Sequence, residues 1–140
     1  MRLAAKLEQA IGAIVSDAID IAVFYGADAD DQVRPCVVCQ ALEGREDMQG
    51  LGNYWMRFRV VVKSNLDKQA SEDPVADHDA RWETVLAALN TDTLAADLTA
   101  AVADFGCMFV RNLSQESEIE GRCATDAFLG EAYVCPSDLS

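Results

Sequence analysis

A chain of 140 residues fits one compact domain better than two independent catalytic ones, because a domain built on one hydrophobic core usually runs to about 100–150 residues. Hydrophobic residues at 51% and charged residues at 25% are ordinary globular values, so wholesale disorder is not expected, and the longest apolar stretches are too short to span a bilayer. The 24 acidic and 11 basic side chains leave a net charge of −13, which opposes a sequence-independent grip on nucleic-acid phosphates.

Leu3, Leu7, Ile11, Ile14 and Ala18 recur at steps of three and four, which predicts a helix over residues 2–17 with one buried stripe. Arg2 and Lys6 are followed by Glu8, Asp17 and Asp20, charges that interrupt the apolar stretch a secretory signal needs. Assembly in a cytoplasm is therefore expected, and the odd number of widely spaced cysteines fits reduced thiols there. Ile19, Ile21 and Val23 alternate with neighbours in a period of two, as a short strand or a last helical turn would. Gly26 and the run Asp28, Asp30, Asp31 close that segment in a loop.

Residues 33–43 and 53–63 are rich in β-branched and aromatic side chains and flank the turn-forming segment GREDMQGLG, which predicts a long β-hairpin. In its second strand Tyr54, Met56, Phe58, Val60 and Val62 share one face, and Trp55, Arg57, Arg59 and Lys63 the other. A polar linker then leads to Pro74, a residue suited to a first helical turn, with Asp73 placed as its cap. Val75, His78, Trp82, Val85, Leu86 and Leu89 trace the stripe of that helix. Thr91 or Asp92 can cap a shorter helix with Leu94, Leu98 and Val102 inward, ending near Phe105 and Gly106. Strand character returns at 107–114 and again from about Glu118 to Cys135, with interruptions at Gly121 and Gly130. Helices set apart from strands in this order predict an α+β domain, an antiparallel or mixed sheet with helices on one face.

Several chemical motifs fail on inspection. Cys36-x-x-Cys39 has the spacing of a zinc or dithiol pair, but inside a strand residues three apart point to opposite faces. The carboxylates at Asp28, Asp30 and Asp31 open like a calcium loop, yet Val33 stands at the bend and Cys39 at the terminal-ligand position. Gly50-Leu51-Gly52 lies in a hairpin loop without the strand-to-helix transition that cradles phosphate. His78 is the one histidine and sits on an apolar helical stripe, so it reads as a packed, hydrogen-bonded ring; no partner for catalysis is identifiable from sequence. No catalytic, cofactor or metal residue is assigned.

What remains is a surface argument. Residues 1–70 hold 8 basic and 10 acidic side chains, and residues 71–140 hold 3 and 14, so the negative charge is concentrated in the second half. Trp55 with Arg57, Arg59 and Lys63 forms the one notable basic cluster and is the candidate subunit interface, open also to a plain solvated face or to single-stranded nucleic acid.

A leading helix, an aspartate-rich loop, RPCVVCQ and YWMRFRVVV strands, the helix beginning PVADHDARWETVLAAL, a short LAADL helix and closing strands follow one another over about residues 2–135. This order resembles the small tail-terminator or tail-completion proteins of long-tailed bacteriophages, and related minor tail and head–tail joining proteins. The resemblance implies a virion protein without enzymatic activity or cofactor, assembled as a ring, commonly a hexamer. Such a ring caps the tail tube, meets head–tail connector proteins and lets DNA pass without specific binding. It makes the loops at 44–53 and 64–73, with Arg45, Glu46, Asp47, Met48, Leu51, Asn65, Asp67 and Lys68, candidate contacts to those partners. Two other readings of the residues stand beside it: a small cytoplasmic binding module or assembly chaperone, and an enzyme using His78 or a zinc site at Cys36 and Cys39.

Overall fold

A computed structural model describes residues 2–26, 35–42, 45–46, 52–66 and 72–136, with main chain alone at 45–46. The protein is α+β. Its elements run α1 (Leu3–Ala18), β1 (Ala22–Tyr25), β2 (Cys36–Ala41), β3 (Arg45–Glu46), β4 (Tyr54–Asn65), α2 (Pro74–Leu89), α3 (Leu94–Ala101), β5 (Gly106–Glu120) and β6 (Cys123–Cys135). The strands form one mixed sheet in the order β1-β2-β4-β6-β5, with β3 beside the start of β4. Among the described residues only β1 and β2 pair in parallel.

The expected hairpin is present: β2 runs antiparallel to β4 with Val37 opposite Val62 and Cys39 opposite Val60. Along β4 the even-numbered residues Met56, Phe58, Val60 and Val62 are buried beneath the helices, as the alternation predicts. They meet Phe128, Ala132 and Val134 of β6 and, from the helices, Leu7, Ile11, Val15, Val85, Leu89, Leu94 and Leu98. Each fully buried side chain of this size contributes roughly 1.5–3 kcal/mol by leaving water. The rings of Phe58 and Phe128 lie 5.9 Å apart between centroids at the middle of this layer.

α2 begins where the sequence places it. Pro74 occupies the first turn, and the Asp73 carboxylate accepts from the Ala76 amide at 3.2 Å. The inward set is Pro74, His78, Val85 and Leu89. Val75, expected on the buried stripe, is 51% exposed and borders an open cavity that residues of β5 and β6 also line.

α3 starts one or two residues later than expected and ends at Ala101, short of Phe105, with Val102 already in extended backbone. Neither Thr91 nor Asp92 is its cap: Thr93 holds that position and donates its hydroxyl to Asp97. The closing region differs most from expectation. Residues 114–120 do not break the strand, so β5 runs unbroken to Glu120 and turns through Gly121, at φ +59°, into β6. Gly130 is no interruption either. It lies inside β6 directly opposite Phe58, and a Cβ there would enter the Phe58 ring; the glycine makes room for the aromatic core.

No helix among the described residues is long and apolar enough to cross a membrane.

Candidate functional site: aromatic rings and arginines on the open sheet face

All three helices pack on the even-numbered face of β4, which leaves the odd-numbered residues facing the other way. The β4–β6 register sets Trp55 beside Tyr133, Arg57 beside Glu131 and Arg59 beside Leu129. The β5–β6 register then adds Phe109 next to Tyr133 and Arg111 next to Glu131. Three strands thus deliver one surface from residues up to 78 positions apart.

The rings form a row. Trp55 and Tyr133 are 4.8 Å apart between centroids, and Tyr133 and Phe109 are 6.3 Å apart. The Arg111 guanidinium stands 4.5 Å over the Trp55 ring, a cation–π geometry. Arg111 Nε donates to Glu131 Oε1 at 3.0 Å, a second Arg111 nitrogen closes on the same oxygen, and Arg57 Nε lies 3.7 Å from Oε2. Glu131 is buried under its two arginines. One carboxylate therefore fixes two cations at a defined spacing beside three rings. Arg59, exposed, has no side-chain partner among the described residues. Phe109, at 62% exposure, is open to solvent. Trp, Tyr and Arg are the side chains that dominate binding interfaces, since each presents a large rigid contact with a polar handle. With its carboxylate engaged by arginine, no thiol or imidazole in the cluster and the Tyr133 phenol as its one hydroxyl, this surface is chemically equipped to bind.

Sequence reasoning located half of it. Trp55, Arg57 and Arg59 do converge. Lys63 does not join them: it is 7% exposed, opposite Cys36 and Thr125, and a strand rise of about 3.3 Å per residue sets it about 26 Å along β4 from Trp55. Tyr133, Phe109, Arg111 and Glu131 were not foreseen; the only hint was alternation in CMFVRNLS. Of the expected contact loops, Asn65 and Ser64 are the end of β4 and pair with Cys123 and Ala124. Arg45 and Glu46 form β3 against Trp55 and Tyr54. Asp47, Met48, Leu51, Asp67 and Lys68, like Asp28, Asp30 and Asp31, lie outside the described residues.

A second cluster is buried on the helix side. His78 Nδ1 is 2.6 Å from Ser64 Oγ, and Nε2 is 2.6 Å from Asp126 Oδ2. Arg81 donates to Ser64 Oγ at 3.1 Å, and the Ser117 hydroxyl donates to the other oxygen of Asp126. The His78 ring thus bridges Ser64 and Asp126 through its two nitrogens, and Arg81 adds a donor to Ser64. The composition is that of a nucleophile triad, but Ser64 is 0% exposed, closed to any carbonyl carbon. The network instead locks α2 onto β4 and β6 by satisfying every polar group it buries. Its partners came from a strand end and from β6, which no spacing in the sequence links to His78.

Cys36 and Cys39 face opposite sides of β2: Cys39 joins the helix-side core, and Cys36 pairs with Lys63. Burial, with Glu8 nearby, pushes the Cys39 thiol up to about 12. Burial likewise raises Cys107 to about 12. No group of three metal-ligating side chains occurs among the described residues.

The sequence matches no protein-family model and no curated protein.

Proposed function

We propose that this chain is a structural assembly protein that closes a ring of its own copies, and that in a long-tailed bacteriophage the ring terminates the tail and joins it to the head side. The observation that carries the reading is the surface of Trp55, Tyr133, Phe109, Arg57, Arg59 and Arg111, set on the face of the sheet opposite an acidic helix layer. That layer carries Asp17, Asp79, Glu83 and Asp97. Its two cations are engaged within the fold, Lys6 on the Asp104 carbonyl and Arg81 on Ser64.

A closed ring needs two different, complementary patches on each subunit, and the reading pairs the cationic, aromatic Trp55 end of the open sheet face with the anionic helix layer. The charge of −13 suits a conduit for DNA, since phosphates are repelled from an acidic wall and slide past it. The order of elements adds the likeness to tail-terminator proteins. The test is electron microscopy of particles made without the protein. The reading expects overlong tails or tails unjoined to capsids; normal tails on filled capsids would overturn it.

A further inference from the structure

We propose that the outer edge of β5 is a docking groove for an extended segment of a partner protein, one that alternates basic with apolar side chains and adds to the sheet as a further strand.

β5 is 15 residues long and ends the sheet; among the described residues only β6 pairs with it. Its register shifts lie between Cys107 and Phe109 and between Asn112 and Ser114. From Ser114 to Glu120 the pairing with β6 is regular, and every one of these residues is exposed. A regular exposed edge offers a row of main-chain donors and acceptors to any strand that arrives, and proteins usually blunt such an edge with proline, charge or a bulge. This stretch, SQESEIE, has no proline and no bulge, and its charge is all of one sign, which repels a like strand and admits a basic one.

What it has is a charge ladder. Glu116, Glu118 and Glu120 pair with Ala127, Thr125 and Cys123 and so share the open face of the sheet. None of the three has a side-chain partner among the described residues. The ladder decides the occupant. A second copy of β5 would bring more glutamate to an edge already rich in it, whereas lysine or arginine at alternate positions of an incoming strand would meet a carboxylate at each.

The opposite face of the same stretch carries Gln115, Ser117 and Ile119. Ile119 is 70% exposed there and, with Leu66, Val75 and Trp82, forms the apolar part of the wall of a cavity of about 310 Å³ that His78, Asp79, Ser117, Glu118 and Asp126 also line. An added strand would direct its intervening side chains toward this cavity. Main-chain hydrogen bonds would then hold the segment, and the two faces would read its alternation. The site functions in one chain and does not depend on ring closure.

The probe is a ten-residue peptide alternating lysine with valine, titrated at 0.15 M salt by tryptophan fluorescence and mapped by amide hydrogen exchange. Expected are binding at least tenfold tighter than for the glutamate–valine peptide and new protection at amides between Ser114 and Glu120. Glu116→Lys/Glu118→Lys is expected to weaken binding tenfold or more. Asp20→Lys/Asp92→Lys, which changes the net charge equally at exposed positions elsewhere, is expected to weaken it less than threefold. Equal loss in both variants, binding without protection of β5, or no binding would overturn the proposal. So would protection of the same amides on raising the protein concentration without peptide, which would assign the edge to a second copy.

Discussion

The imidazole of His78 and the carboxylate of Asp126 stand 48 residues apart in sequence and 2.6 Å apart in space, buried between α2 and β6. Removing His78 takes a buried partner from both Ser64 and Asp126, and removing Asp126 takes one from His78 Nε2, while Arg81 still reaches Ser64. An unpaired buried polar or charged group costs about 1–3 kcal/mol, and more when charged. His78→Ala should therefore lower the unfolding free energy in urea by roughly 2–4 kcal/mol. Ser64→Ala, which removes one neutral hydroxyl, should lose about 1–2 kcal/mol. Equal stability of His78→Ala and wild type would show that the network carries no weight in the fold.

Gly130 and Phe58 form a second coupled pair across β6 and β4. Gly130→Ala places a methyl group in the Phe58 ring and should cost about 1–3 kcal/mol by overpacking. In the background Phe58→Leu the same change should cost markedly less, and a double-mutant cycle by thermal unfolding gives the coupling directly. Additive losses would mean that the glycine serves strand geometry and not the ring.

The thiols predict a pH dependence. Cys39 and Cys107 are raised from 9.0 to about 12 by burial, so the folded chain holds these protons longer than the unfolded chain does. Stability is then level below pH 9.0 and falls as pH rises toward about 12, by at most about 1.4 kcal/mol per unit for each thiol. Cys39→Ala/Cys107→Ala should flatten that slope in urea titrations between pH 9 and 11. In the native chain at neutral pH, Cys123, the one cysteine that is not buried, should be alkylated first by iodoacetamide. Rapid native labelling of Cys39 would contradict the packing described for β2.

Where the sequence was legible, a local period carried the signal. The helix around Leu7 and Ile11, the alternation from Tyr54 to Val62, and Asp73 before Pro74 each bury or cap through neighbours a few residues away, and each stands in the structure as expected, although Ala18 at the end of the stripe is exposed. The exposed half of the site was legible for the same reason: Trp55, Arg57 and Arg59 alternate on one strand. Arg111, Glu131, Phe109 and Tyr133 join them only through the pairing of β5, β6 and β4, a relationship no local period encodes. Residues 114–120 contain little that favours a strand, and the ladder to β6 imposes one. Lys63 misled because alternation assigns a face and says nothing of what covers it, and Gly130 because a glycine that yields space to a ring reads like one that ends a strand.

The central claim is that copies of this chain meet through the face bearing Trp55, Arg57 and Arg59. Light scattering of wild type beside Arg57→Glu/Arg59→Glu at the same high protein concentration tests it most directly. The account predicts a mass that is a multiple of 15.2 kDa for wild type and a collapse toward a single chain in the variant. The same mass for both proteins, whether one chain or many, would contradict it.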